Sequence, residues 1–339
     1  SIKVTANAGQ KTTKTYTHYN MIGALQNAEV TDTQYYNDRT ITGDAVSTYI
    51  NASLLYRKKF AKKGRTMSLD IKANYKDNQS EGILNSVINY ADTTASQTTN
   101  QRKINDGTSL AFSAKGTYTE PLSKKTFLIV DYSSSINNNS SLNYSYNSIP
   151  GQLYSDVPND TFSSNYRYNI FTNAGGAAFR YVYKKLNYSF GGTVSNARYT
   201  QTDLRHGDTS NTINYLNFFP KASFKYKLSN QRSIDLSYNG NTRQPSITQV
   251  QPLVQNNDPT RVAKGNPGLR QEFTHSMRAS YNDYKVLTGR YIWSSVSFTS
   301  VNDAISTSQD IVNGVYTTQY INVNGNYNGW AYLNYGFKL

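Results

Sequence analysis

Hydrophobic and polar residues alternate with a period of two along much of this chain. Met67, Leu69 and Ile71 fall on one face of a strand, and Ser68 and Asp70 fall on the other. Because successive side chains of a β-strand point to opposite faces, the pattern predicts strands with one apolar and one polar face. The same alternation recurs in four further segments: 110–118, 186–194, 222–228 and 234–238. No segment of useful length has the 3.6-residue period of a helix, so the sequence predicts an all-β chain.

The connectors between these strands are alternately short and long. The short ones are 59–65, 120–124, 184–185, 228–232 and 285–289. The long, polar ones are 9–44, 79–105, 138–163, 200–213, 240–271 and 303–314. Transmembrane barrels have this asymmetry, with tight turns on the periplasmic side and long loops outside. The alternation therefore predicts a transmembrane antiparallel up-and-down β-barrel, with both chain ends on the periplasmic side.

The segments between the connectors give a count of about twelve strands. The predicted strands are 1–8, 45–58, 66–78, 106–119, 125–137, 164–183, 186–199, 214–227, 233–241, 272–284, 290–302 and 315–339. Many exceed the roughly 9–11 residues that cross the hydrocarbon layer, so they are expected to project beyond it. We interpret residues 1–339 as a single β-barrel domain.

The composition agrees with a membrane barrel better than with a soluble core. Only 37% of residues are hydrophobic and the mean hydropathy is −0.66, yet 13% are aromatic and there are 30 tyrosines. A barrel explains this because alternate residues face a wet lumen while Tyr and Trp collect at the two membrane interfaces. Cysteine is absent, which excludes a disulfide-built module and thiolate metal sites.

The formal net charge is +14, which could indicate nucleic-acid binding. The basic residues do not form one patch, however. Several fall in short connectors, including Lys62, Lys63, Lys124 and Lys184, and others alternate along predicted strands. Solvated turns and lumen-facing charges are the favoured interpretation, and no nucleic-acid partner is expected.

The sequence contains no pattern that indicates catalysis. His18, His206 and His275 are far apart, and none has a partner at metal-ligand spacing. No nucleophile elbow, zinc-protease motif or phosphate-binding loop is present. We therefore expect neither an enzyme nor a cofactor or metal site.

The segment from Tyr238 to Tyr284 carries the most distinctive motif. It contains Arg243-Gln244-Pro245, then Gln251-Pro252-Leu253 and Asn257-Asp258-Pro259, and then Gly265-Asn266-Pro267-Gly268-Leu269-Arg270-Gln271-Glu272. This resembles the late-barrel signature of TonB-dependent outer-membrane receptors, and it is most similar to relatives of the SusC-like glycan importers. The specific resemblance covers about residues 240–339.

The motif residues are expected to have a structural role. Pro267 fixes φ, Gly265 and Gly268 permit positive φ, and Asn266 can bond its own backbone. Together they predict a sharp reversal that starts the strand at 272. Glu272 is expected to pair with Arg243 across the connector, and Pro245 and Leu269 complete the motif.

The resemblance implies a bacterial outer-membrane receptor that takes up a bulky nutrient: a siderophore, an oligosaccharide or a peptide. The family's barrel is 22-stranded around an N-terminal plug, so the chain is interpreted as part of a barrel without the plug and first strands. The implied partners are membrane lipid and lipopolysaccharide, the TonB complex through the plug, and a SusD-like surface lipoprotein.

Ligand contacts are predicted in connectors 9–44, 79–105, 138–163 and 240–271. Their side chains suited to stacking and hydrogen bonding are Tyr144, Tyr146, Tyr154, Tyr166 and Arg167. Interfacial girdle or loop packing is an equally good interpretation of these aromatics. Two alternatives to a receptor stay open: a non-transporting outer-membrane barrel that scaffolds a cell-surface complex, and a soluble extracellular β-protein.

Overall fold

The computed structural model describes residues 1–26, 31–91, 96–250, 254–258, 261–285, 287–312 and 315–337. The strands are β1 Ile2–Gln26, β2 Thr31–Lys59, β3 Thr66–Tyr90, β4 Ser96–Pro121, β5 Thr126–Asn147, β6 Ser164–Tyr183, β7 Leu186–Asp203, β8 Thr209–Lys227, β9 Arg232–Arg243, β10 Val254–Asp258, β11 Arg261–Lys264, β12 Glu272–Lys285, β13 Arg290–Asn302, β14 Ala304–Val312, β15 Val315–Val323 and β16 Asn326–Gly336. A four-residue helix, α1, spans Ile247–Val250. Among these residues no helix has the length and apolar character needed to cross a bilayer.

Twelve strands form one antiparallel sheet in which neighbours along the chain are also neighbours in space. The order is β1-β2-β3-β4-β5-β6-β7-β8-β9-β12-β13-β16. This meander is the wall of an up-and-down barrel, because each strand is hydrogen-bonded antiparallel to the next strand of the same sheet. The predicted all-β class and the count of about twelve antiparallel strands are confirmed.

One face of this sheet, here called the outer face, carries an apolar band. Four apolar residues on neighbouring strands are cross-strand partners in succession: Phe224 on β8, Leu236 on β9, Ala279 on β12 and Val296 on β13. Phe224, Leu236 and Val296 are 39%, 45% and 49% exposed. Large exposed apolar patches are rare on soluble monomers, whereas a membrane barrel turns such a band toward lipid.

The opposite, inner face is polar and charged. Asp131 on β5 is buried, with Lys115 Nζ at 3.3 Å and Lys221 Nζ at 3.9 Å from its carboxylate oxygens. Lys225 and Asp235 form another inner-face pair at 2.8 Å. The alternation in the sequence thus corresponds to two chemically different faces, as predicted.

All short connectors lie at one end of the sheet, which we call the turn end. The amino group of Ser1 donates to the Arg57 carbonyl there at 2.7 Å, and Gly336 near the other terminus stands opposite Tyr291. Both ends of the described chain therefore lie at the turn end, in agreement with the prediction that they share one side. The opposite end of the sheet is the connector end.

The predicted lengths of the long connectors are wrong for the first part of the chain. Most of 9–44 and 79–105 is strand, since β1 runs to Gln26, β2 begins at Thr31 and β3 pairs with β4 up to Asn89–Ser96. The polar run at 138–147 also belongs to β5. The extensions of β1, β4 and β5 are mostly polar, so the sequence does not mark them as strands, while the backbone ladder continues through them.

The predicted last strand, 315–339, is also wrong as a single element. A turn at Gly325, where φ is 83°, separates β15 from β16. β16 completes the large sheet, whereas β15 belongs to a second, four-stranded sheet in the order β10-β11-β15-β14. Pattern alone does not reveal this division, because β15 and β16 have similar compositions.

Candidate ligand-binding site at the connector end

The last two connectors leave the large sheet and pair with each other. β10 and β11 come from the connector after β9, and β14 and β15 come from the connector after β13. β11 runs parallel to β15, with Arg261 opposite Tyr316 and Lys264 opposite Gln319. The described residues of 244–271 and 303–325 thus form one unit, which we call the clasp.

A turn at Asn266-Pro267-Gly268-Leu269 brings the clasp back toward the large sheet. The Leu269 N–H donates to the Asn266 carbonyl at 3.2 Å, and the Gly268 N–H donates to Asn266 Oδ1 at 2.9 Å. The predicted bond of Asn266 to its own backbone is confirmed. Gly265 and Gly268 permit positive φ, but neither is among the positive-φ glycines of the described chain. A type I turn closes in this way with negative φ at both central residues.

Arg243 and Glu272 join the ends of the first clasp connector. Arg243 donates from Nε to Glu272 Oε1 at 2.5 Å and from Nη2 to Oε2 at 2.9 Å. The Ile305 N–H also donates to Glu272 Oε2, at 3.1 Å. The hydrogen bonds from Arg243, above all, lower the pKa of Glu272 from its usual value. The ion pair predicted from the sequence is confirmed, and through Ile305 it also holds the second connector.

The clasp packs against the inner face of the large sheet. Leu269 is 3% exposed, and it lies in a small apolar contact region with Tyr168 and Tyr199. Pro245, Val250 and Pro267 line the same region. Burial raises the pKa of both tyrosines. The motif residues therefore attach the clasp to β6 and β7.

Asn322 connects the two halves of the clasp. Its Nδ2 donates to the Arg270 carbonyl at 3.0 Å and to the Asp303 carbonyl at 2.7 Å, while its Oδ1 accepts from the Arg270 N–H at 2.8 Å. Asn266 Nδ2 donates to the Tyr320 carbonyl at 2.9 Å. Side-chain amides thus satisfy backbone groups that no strand ladder reaches.

An amide-rich cleft of about 750 Å³ opens at the connector end, and Val262 of the clasp is one of its lining residues. Its lining residues are Gln97, Thr98, Thr99, Asn100, Gln101, Asn147, Ser148, Ile149, Pro150, Asn159, Phe162 and Val262. Three of the four connectors predicted to contact ligand, 79–105, 138–163 and 240–271, contribute to it. No lining side chain is charged, so the cleft offers neutral donors and acceptors beside small apolar surfaces.

The five predicted ligand residues lie elsewhere. Tyr144 and Tyr146 point to the outer face with ring centroids 6.2 Å apart, and Tyr146 and Tyr154 lie near Arg102. Arg167 is exposed on the same face. Tyr166 is buried on the inner face, where burial and neighbouring Asp203 raise its pKa to about 12. None of the five lines the cleft.

The amides that do line the cleft are absent from the predicted set. Gln101 Nε2 donates to Asn147 Oδ1 at 2.8 Å across β4 and β5. Asn159 Oδ1 accepts from the Thr161 N–H at 3.0 Å, which orders the wall beyond β5. The sequence signal that could have identified these residues is the high density of Asn and Gln in connectors 79–105 and 138–163. The prediction was based instead on the aromatic residues of these connectors.

Metal binding finds no support in the described part of the chain. No group of three or more His, Asp or Glu side chains there could hold an ion. His206 Nδ1 lies 2.8 Å from Asp203 Oδ2 and His18 Nε2 lies 2.9 Å from Asp38 Oδ1, each as an isolated pair.

The sequence profile of the outer membrane protein beta-barrel family matches residues 58–339. No curated protein sequence matches the chain. Among solved structures, the copper transporter OprC superposes with a TM-score of 0.50 at 11% identity, over 95% of this chain and 57% of that one. The siderophore receptor PirA from Pseudomonas aeruginosa gives 0.48 at 9% identity, over 99% and 63%.

The hemophore receptor HasR from Serratia marcescens, solved with its hemophore HasA and heme, gives a TM-score of 0.47 at 11% identity. That superposition covers 99% of this chain and 60% of HasR. The chain spans less than two thirds of each of these proteins. At such identities the similarity to OprC describes the fold alone, and it agrees with the meander described above.

Proposed function

Because the chain belongs to the outer membrane protein beta-barrel family and so lies in the bacterial outer membrane, we propose that it forms part of the wall of a TonB-dependent uptake receptor. The turn end faces the periplasm and the connector end faces the outside. The cleft at the connector end is the first contact for the nutrient, and a neutral oligosaccharide is the ligand class that its chemistry favours.

The uncharged, amide-rich lining of the cleft carries this proposal. Gln and Asn side chains donate and accept at once, which matches sugar hydroxyl groups. A negatively charged iron–siderophore complex would be expected to meet Lys or Arg side chains, and the cleft lining contains neither. Phe162, Ile149 and Pro150 supply the apolar surface on which a sugar ring can rest.

The proposed role is transport and not catalysis, which follows what the structural neighbours are named for. OprC, PirA and HasR are named as a transporter and as receptors. The energising TonB complex, a plug domain and a SusD-like surface lipoprotein are further partners of the proposed receptor. Co-purification of such a lipoprotein with the full-length protein from the native membrane tests that part of the proposal.

The ligand class is tested by calorimetry on the full-length protein with three probes: neutral oligosaccharides, an iron-loaded siderophore and short peptides. We expect binding only by oligosaccharides, and about a tenfold loss in Gln101→Ala, which removes a cleft amide and exposes the Asn147 acceptor to water. Gln79→Ala, outside the cleft on β3, serves as the matched control with unchanged affinity.

If a siderophore or a peptide binds and Gln101→Ala weakens that binding, the proposed ligand class is wrong but the proposed site is correct. Binding that neither variant alters would overturn the site. Cellular uptake of the bound oligosaccharide, measured with a labelled probe, then separates a receptor from a scaffold, because a non-transporting barrel would bind without accumulation.

A further inference from the structure

The turn end carries a concentration of basic residues. They are Arg57, Lys58, Lys59, Lys62, Lys63, Arg65, Lys124, Lys125, Lys184, Lys185, Lys227 and Arg232. Glu120 neutralises part of this charge, since Lys62 Nζ lies 2.5 Å and Arg65 Nε 2.8 Å from its carboxylate. Asp283 pairs with Arg232 at 3.1 Å. The centre of the row, at the turns 122–125 and 184–185, has no such partner in the described chain.

Two of these unneutralised lysines converge on one tyrosine. Lys125 Nζ lies 3.4 Å from the ring centroid of Tyr183, and Lys184 Nζ lies 5.3 Å from the same centroid. Neither ammonium forms an ion pair with a described carboxylate. Cation–π attraction to one ring offsets only part of the repulsion between two nearby like charges. The pair is therefore poised to take up an anion.

The backbone at Lys184 has an unusual conformation. Its φ is 47°, in the left-handed region, within a two-residue turn between Tyr183 and Leu186. A residue with a Cβ is destabilised in this region, and turns of this kind usually carry Gly, Asn or Asp there. Gly, Asn or Asp would adopt this conformation with less strain than lysine. The presence of Lys184 therefore points to a role for its charge.

The cluster lies at the edge of the lipid-facing surface. Tyr183 belongs to the outer face of β6, in line with Phe179 and Tyr181. On β7 the neighbouring outer-face rings are Tyr188, stacked on Tyr181 at 5.3 Å, and Phe190, 5.4 Å from Phe179. Aromatic belts of this kind mark the boundary between headgroups and acyl chains. A lipid with its chains against Phe190 would have its headgroup beside Tyr183.

We propose that Lys125, Lys184 and Tyr183 form a binding site for the phosphate group of an anionic phospholipid in the periplasmic leaflet. The two ammonium groups neutralise the phosphate, and the phenol hydroxyl can donate to one of its oxygens. The adjoining apolar rings select a lipid over a soluble anion or an acidic protein, because only a lipid covers both surfaces. The site depends on the membrane location of the chain and not on the ligand of the cleft.

Native mass spectrometry of the full-length protein in detergent tests this site with two probes, dioleoyl phosphatidylglycerol and dioleoyl phosphatidylcholine. The test variant is Lys125→Gln with Lys184→Asn, in which asparagine also suits the left-handed turn, so folding is preserved. Because each lysine near an anionic surface contributes about 1 kcal/mol, we expect at least tenfold weaker phosphatidylglycerol binding with phosphatidylcholine unchanged.

The matched control is Lys63→Gln with Lys124→Gln, which removes the same charge from the turn end without touching Tyr183. Retained phosphatidylglycerol preference in this control supports the site, and an equal loss in both variants overturns it in favour of general charge attraction. Unchanged binding in the test variant also overturns it. If millimolar glycerol 3-phosphate displaces the lipid, the cluster binds a soluble phosphate compound, and the proposal of a lipid ligand is overturned.

Discussion

The two halves of the connector end are built on different physical principles. Between β1 and β8 the chain extends its hairpins, and regular backbone ladders such as Thr17–Ile41 and Ser86–Thr99 carry the structure outward. In the clasp the chain leaves the large sheet, and individual side chains attach its own four-stranded sheet to the barrel wall. Specific side chains are thus required where the hydrogen-bonded ladder of the large sheet stops. This explains why the motif from Arg243 to Glu272 lies in the clasp.

Leu269→Ala should have the largest effect on the clasp. Removing a buried leucine from its contact with Tyr168 and Tyr199 costs about 3 kcal/mol, within the usual range for a cavity in a core. Amide hydrogen exchange at the Asn266–Leu269 turn should then be about 100-fold faster. Leu216→Ala is the matched control, because Leu216 is 74% exposed. Equal exchange rates in the two variants would contradict the packing of Leu269 against Tyr168 and Tyr199.

Arg243→Ala should have the next largest effect, since it leaves a buried carboxylate without its bidentate partner. The Arg243 side chain is 61% exposed, so solvent screening limits the loss to about 2 kcal/mol. Urea unfolding in phospholipid vesicles measures it. The combined charge swap of Arg243→Glu and Glu272→Arg should recover part of the stability, and a swap no better than either single variant would argue against direct pairing.

The pH dependence of the same pair has a definite sign. The pKa of Glu272 is lowered in the folded protein, so its contribution is complete above its unfolded value near pH 4.3 and is lost as the pH falls through the folded value. The difference in the free energy of unfolding between the native protein and Arg243→Ala should therefore be constant near neutral pH and should decrease below about pH 4. A difference that widens on acidification would exclude this assignment.

Asn322→Ala should have a smaller effect, about 1–2 kcal/mol, because it leaves two backbone carbonyls and the Arg270 N–H without their partners. Limited proteolysis should then cleave the clasp faster and leave the large sheet intact. Asn328→Ala, on exposed β16, is the control. Cleavage at equal rates in both variants would show that Asn322 does not join the connectors.

The hairpin extensions should be the least sensitive. Thr200 and Thr212 share a hydroxyl bond of 3.2 Å, and Thr202 and Ser210 share one of 2.9 Å, both at exposed positions. Replacing Thr200 and Thr202 with alanine should change the free energy of unfolding by less than about 0.5 kcal/mol. A larger loss in the same urea assay would mean that side chains, and not the ladder alone, support the extensions.

The sequence predicts the motif contacts better than the extent of the strands. Arg243 and Glu272 flank a reversal marked by Asn266 and Pro267, and opposite charges at the two ends of a hairpin connection are expected to meet. The continuation of β1 through polar residues such as Thr13 and Thr17 is hidden, since neither face there is apolar. The sequence shows Gln101 and Asn147 only as members of two amide-rich connectors, because they become neighbours through the β4–β5 register.

By itself, the amino-acid sequence determines the all-β class, the two faces of each strand, the parity of short and long connectors and the Arg243–Glu272 pair. These features depend on side-chain periodicity and on residues close to one reversal, and both are local. Only the tertiary structure decides that β11 pairs with β15, that Leu269 packs on Tyr168 and Tyr199, and that Lys125 and Lys184 share one ring. Those contacts join distant segments, and no local pattern encodes the register that brings them together.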